Sequence, residues 1–356
     1  MKSHLSKFFA LFLLIVVRSV LTSVPLHATP AISFTISYAG IYNTASSYSQ
    51  GNVVKYGNCT YLALGAIAAN SSPNSNPGSW TIFGALPEIN TFGAGTNTFT
   101  IDFVTIGYPG NSNDTNGFGK VSYSYQMGAY AISQSQINAA MANGLQGVTA
   151  GAWSGDQPAC SMTWYQAAAF VNWLNTSQGY TPAYNLTYSN NSYSMTLWPT
   201  NQAWTNGGTN FYRNANCVYF LPSENEWYKA AYYDPNKSNS GGYWLYPTGS
   251  SAAPMAVING TASGTAVFNH VASAPAPVTL AGGRSPYGTM GQGGNVFQWM
   301  ESSYSGSSSY PAEVRVARGG DWIFAGYLIQ SSSRGYRPAA TSTNSIGFRV
   351  GSILHP

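Results

Sequence analysis

At 356 residues the chain is long enough for a substantial buried core, and its 15% aromatic and 7% charged content excludes a disordered protein. Three of its 14 basic residues, Lys2, Lys7 and Arg18, fall in the first 28 positions, which leaves 11 against 10 acidic residues in the rest. That near-neutral balance, without a cluster of Lys and Arg, excludes a nucleic-acid footprint.

Met1 to Ala28 has a basic start, an apolar run from Phe8 to Val17 and small residues up to Ala28. This is the layout of a signal peptide, so a secreted or cell-surface protein is expected. No later segment approaches ~20 consecutive apolar residues, and no membrane span is expected. Export permits disulfides, but Cys59, Cys160 and Cys217 are odd in number. Cys160 and Cys217 each precede a predicted helix and are the candidate pair, a pairing the sequence alone leaves open.

Residues 32 to 84 form a first unit. Short apolar runs at Val53-Val54 and Tyr61-Leu62-Ala63 alternate with Gly, Asn, Ser and Pro, which predicts a small all-β module. Its order of Tyr48, Gly51, Val53-Val54, Tyr56, Tyr61 and a Pro-rich approach to Trp80 is similar to small bacterial chitin-binding modules. That resemblance implies carbohydrate binding on exposed rings, with Tyr48, Tyr61 and Trp80 as candidates. The competing reading is that in so small a unit these rings are the core.

Ala85 to Thr96 is broken by Pro87, Asn90, Gly93 and Gly95 and is predicted to be a linker. A second unit, 97 to 354, opens with the alternating strand Phe99 to Gly107. Ser133 with Gln136, Thr163 with Gln166, and Ser223 with Glu226 have capping-box spacing and predict three helix starts. After the second box Ala167, Phe170, Val171 and Leu174 repeat at i, i+3, i+4 and i+7, one apolar face. Few helices, many short strands and long Gly/Ser/Asn loops define an irregular α+β domain.

Three phrases of the second unit carry a further resemblance: LPSENEWYKAA from Leu221, GGNVFQW from Gly293, and RGGDWIFAGYLIQ from Arg318. In this order they resemble the formylglycine-generating enzyme, or sulfatase-modifying-factor, family. The resemblance implies a variant of the C-type-lectin-like fold, a fold that also carries hypervariable ligand-binding tails in some phage and bacterial proteins. It further implies a copper-holding cysteine pair just after the Gly-Gly, where this chain has Phe324 and the stretch from Tyr327 to Gln330. Asp321 stands where a serine is usual. Copper and the family's oxidase chemistry are therefore not expected. A calcium loop is implied at Gly291, Gly294, Val296 and Gln298, and a second calcium site at Asn269. The carbonyls are retained while the charged anchors are altered, so a turn held by hydrogen bonds is favoured over calcium.

Arg318, Arg334, Arg337 and Arg349 are expected to pair with Glu224, Glu226, Glu301 and Asp321 and to stack on aromatics. His270 and His355 are the only histidines after the leader, which leaves conventional hydrolytic machinery without parts. The sequence thus predicts an exported, non-catalytic binding protein for a polysaccharide or cell-surface glycan. Its ligand loop would be Trp322, Ile323, Phe324 and Tyr327. The alternatives are an oxidase with a rebuilt site at Cys160 or Cys217 and a self-associating surface protein.

Overall fold

A computed structural model describes residues 36 to 353 except 57–58, 74–75, 77, 86–87, 150 and 310–313. Residues 1–28, the predicted signal peptide, and the side chain of Cys59 lie outside the described residues.

The first unit is one sheet in the order β1 (Ser37–Ile41), β2 (Asn52–Tyr56), β3 (Cys59–Ala63), β4 (Trp80–Ala85). β1 runs parallel to β2 and the other pairs are antiparallel. Tyr48, Val54, Tyr61, Ala63, Ile67 and Trp80 pack into a single cluster.

The expected linker is in large part a strand. β5 (Glu88–Phe92) pairs antiparallel with β6 (Phe99–Ile106) from Glu88↔Phe103 to Phe92↔Phe99. Pro87 precedes the strand instead of interrupting it, and Gly93 and Gly95 follow it. Phe92 is fully buried, stacked on Phe99 at 5.6 Å and edge-on to Tyr219 at 5.2 Å, which ties the segment to the core.

β5 and β6 form one side of a five-stranded sheet that continues through β7 (Tyr125–Gly128) and β21 (Gly351–Ile353) to β12 (Tyr219–Phe220). The predicted helices are α1 (Gln134–Ala142), α2 (Trp164–Ser177) and α3 (Glu224–Tyr232), each opened by the predicted capping box. In each, the hydroxyl accepts the third residue's N–H and that residue's side chain reaches back to the cap. The predicted face of α2 is wholly buried and joins Trp164, Trp299 and Phe348 in the largest core.

β8 (Asn185–Ser189) and β9 (Ser192–Thr196) make a hairpin, and β10 (Ala203–Trp204) pairs with β11 (Asn210–Asn214). Two short pairs follow: β13 (Tyr233–Asp234) with β14 (Gly242–Tyr243), and β15 (Met255–Ala256) with β16 (Thr265–Ala266). A second four-stranded sheet has the order β19 (Gly335–Pro338), β18 (Val314–Arg318), β17 (Phe297–Ser303), β20 (Ile346–Gly347). It carries the Gly-Gly turn at the end of β18. Among the described residues no helix is long and apolar enough to cross a membrane.

Candidate ligand surface

The loop from Asp321 to Gln330 is fixed at both ends. Gly319 and Gly320 have φ of 99° and 67°, and a Cβ on Gly320 would stand 2.8 Å from Ile329 Cγ2, so the turn back under the loop requires glycine there. Asp321 is buried, and its Oδ1 accepts the N–H groups of Ile323 at 3.0 Å and Phe324 at 3.1 Å. Burial raises its pKa. Trp322 is buried edge-on to Trp153 and His270, and its backbone N–H donates to Asn295 O. At the far end Ile329 is buried against Tyr246 and Phe268, and Gln330 Nε2 donates to Tyr246 Oη.

Between these anchors Phe324 is 45% and Tyr327 63% exposed. The four predicted loop residues therefore divide: Phe324 and Tyr327 face solvent, Ile323 is half-buried, and Trp322 is a support. A rigid scaffold presenting two rings on a clamped loop suits recognition, because little ordering entropy remains to be lost on contact.

The proposed sugar platform of the small module is corrected. Tyr48, Tyr61 and Trp80 are 7%, 7% and 4% exposed, so they are the core of that sheet. Trp80 lies edge-on to Tyr48 at 5.5 Å and its indole N–H donates to Ser71 O at 2.9 Å. Val54 and Ile67 pack beside them, and in a unit this small the core takes the rings as well.

The cysteine pairing is likewise corrected: Cys160 and Cys217 are both buried free thiols. Burial, reinforced at Cys160 by the charge of Asp321, pushes the Cys160 pKa far up. Burial pushes that of Cys217 to about 12. Neither thiol has the low pKa that nucleophilic or metal-binding sulfur needs.

The family's metals do not fit the residues present. The segment after Gly-Gly presents Phe324, Tyr327 and the buried Ile329, none of them a soft ligand. At the calcium loop, Gln298 Oε1 already accepts from Trp227 Nε1 and Arg349 Nε, each at 2.7 Å, while Gln298 Nε2 donates to Gly291 O. Gly294 makes a close turn at φ 82°, its N–H donating to Gly319 O, and Val296 is buried. Arg349 also donates to Met290 O and Gly128 O, so a guanidinium supplies the positive charge where carbonyls converge. Its pKa falls to about 9 on burial, still high enough to keep it charged at neutral pH. Asn269 and His270 are exposed, with φ of 62° and 56°. Among the described residues no group of three His, Cys, Asp or Glu side chains could hold a metal ion.

The arginines are structural, though not all with the expected partners. Arg318 and Arg334 share Glu224 at 2.7 and 2.8 Å. Arg337 donates to Tyr336 O and lies over the Phe297 ring. The sequence reading missed Arg213, which is fully buried and binds both Glu226 and Glu301. It also missed Arg315, which is sandwiched between Trp164 at 3.8 Å and Tyr212 at 4.1 Å.

Two sheets, three capped helices and long Gly-rich loops around buried arginines define an α+β domain of the sulfatase-modifying-factor type. Residues 116–352 match the family described as "Sulfatase-modifying factor enzyme 1-like domain", and the chain belongs to that family. Among solved structures it is similar to Treponema denticola variable protein 1, with 18% identity, TM-score 0.51, and coverage of 75% of this chain and 100% of that one. It is also similar to CarF, with 19% identity, TM-score 0.48 and coverage of 72% and 99%. A third is PvdO from Pseudomonas aeruginosa, with 15% identity, TM-score 0.45 and coverage of 76% and 100%. A search of curated protein sequences found no match.

Proposed function

We propose that this protein is an exported, non-catalytic binding protein that uses the sulfatase-modifying-factor scaffold to present a recognition loop to a polysaccharide or cell-surface glycan. The observation that carries this reading is the substitution of the family's catalytic segment: two solvent-facing rings, Phe324 and Tyr327, on a loop anchored by Asp321, Trp322 and Ile329. The buried, high-pKa thiols weigh against an oxidase rebuilt around Cys160 or Cys217.

The test is retention of the purified protein on insoluble polysaccharides and on bacterial and eukaryotic cell-surface preparations, beside the double variant Phe324→Ala/Tyr327→Ala. Retention of the parent and at least tenfold weaker retention of the variant, about 1.4 kcal/mol, is the expected result. Copper-dependent conversion of a cysteine-containing peptide by the parent protein would replace this reading with an enzymatic one.

A further inference from the structure

Apart from the loop, the domain holds a groove whose chemistry suits a particular ligand class. One cavity of about 280 Å³ lies between β10, β11 and the turn after β17, and a neighbouring one of about 480 Å³ lies beside Lys120 and Val121. They share Tyr123, Gly207, Ser223 and Asn225, so they form one extended groove with Tyr123 at its middle.

The floor is rigid and electrically settled. Arg213 donates to both oxygens of Glu226 and both oxygens of Glu301. Tyr123 Oη donates to Glu226, Asn210 Nδ2 to Glu301, and Tyr184 Oη to Glu301 at 3.0 Å. Every acceptor oxygen is thus taken, and neither carboxylate is left to hold a ligand cation. Arg213 and Arg315, the second donating to Glu301 O, balance the two carboxylates, so the floor carries no excess charge to draw a charged ligand, and Lys120 is exposed at the far end.

Apart from Lys120, what remains open to a ligand is neutral. Tyr123, half-buried, meets Trp204 edge-on at 5.6 Å and offers an aromatic wall. Gly207 lies against it at φ 80°, where a Cβ would come 3.0 Å from the ring. Asn225 is exposed, and its Oδ1 accepts from Gly119 N at 3.0 Å, which leaves the amide nitrogen to donate into the groove. Aromatic faces match the C–H faces of pyranose rings, and amides and hydroxyls match their hydroxyl groups. We propose that this groove is a binding site for a neutral oligosaccharide, separate from the Phe324/Tyr327 loop. The proposal rests on the reading of the protein as a glycan binder and adds a second site and a ligand class.

The experiment is calorimetry of the full protein with soluble tetrasaccharides of β-1,4-linked glucose, N-acetylglucosamine, xylose and mannose, and with a sulfated tetrasaccharide. Thr209→Trp, at an exposed groove position, places a ring in the cavity, and Asn225→Ala removes the amide donor. Both are checked for an unchanged unfolding midpoint. The expected result is binding of at least one neutral tetrasaccharide, its loss in Thr209→Trp, and about fivefold weakening in Asn225→Ala. Binding that survives both groove variants and disappears with the loop variant would overturn the groove site and leave the loop reading standing. Preference for the sulfated ligand would overturn the ligand class. Absence of binding to any tetrasaccharide would overturn the groove site, and absence of retention on polysaccharide or cells as well would overturn the glycan-binding reading itself.

Discussion

Arg213 forks onto Glu226, its Nη1 and Nη2 lying 2.8 and 2.7 Å from the two carboxylate oxygens, with neither side chain more than 1% exposed. Glu301 takes the other edge of the same guanidinium at 3.0 and 2.9 Å. The pull of Arg213 lowers the Glu226 pKa despite burial, whereas at Glu301 burial outweighs the same attraction and raises it. One arginine thus holds together α3, β11 and β17.

Removing that arginine leaves two carboxylates buried without a counter-charge. Arg213→Met is expected to cost about 3–5 kcal/mol in urea-unfolding free energy. The variant's carboxyl pKa values rise in the folded state, so its stability is present at acidic pH and lost as pH rises through them. A variant as stable as the parent at pH 7 would remove the cluster from the account.

Lys229 gives a pH dependence of its own. It is fully buried in α3, donates to Tyr108 O at 2.8 Å, and burial lowers its pKa from 10.5 to about 7. The unfolded chain binds this proton up to about pH 10.5 while the folded chain releases it near pH 7. Stability therefore rises with pH across that window, by up to about 1.4 kcal/mol per pH unit. Buried tyrosines such as Tyr125 and Tyr232, whose pKa values burial raises, act in the opposite sense toward its upper end. Thermal unfolding between pH 7 and 9 should show the rise in the parent and a flatter profile in Lys229→Met.

Cys160 and Cys217 should resist alkylation in the native protein at pH 8 and react on denaturation. Intact-mass measurement after iodoacetamide treatment distinguishes the states. A mass lower by about 2 Da with alkylation at Cys59 alone after unfolding would instead mean a disulfide between them.

Trp80→Ala is expected to cost the small module about 3–5 kcal/mol, because the ring closes its core against Tyr48. Hydrogen exchange should show this sheet opening while the five-stranded sheet keeps its protection. Unchanged exchange with lost sugar binding would restore Trp80 as a platform residue.

The helices were legible because their signals are local. Ser133, Thr163 and Ser223 act on residues three positions away, and the Ala167-to-Leu174 face repeats within two turns. The Gly-Gly turn and the position of the loop after it were legible through the family resemblance. The choice between core and platform for Tyr48, Tyr61 and Trp80 was not, since alternation along a strand says which residues share a face but not which face is covered. Residues 88–92 escaped because Pro and Gly flank the strand closely on both sides. Arg213 gave no signal either, its partners lying 13 and 88 positions away.

The central claim is that the clamped loop binds and does not catalyse. It is tested most directly by retention of the purified protein on polysaccharide and cell-surface preparations, with Phe324→Ala/Tyr327→Ala alongside and both proteins shown to unfold at the same temperature. Retention of the parent and at least tenfold weaker retention of the variant, about 1.4 kcal/mol, is the predicted result. Equal retention of both proteins, or none by either, would contradict it.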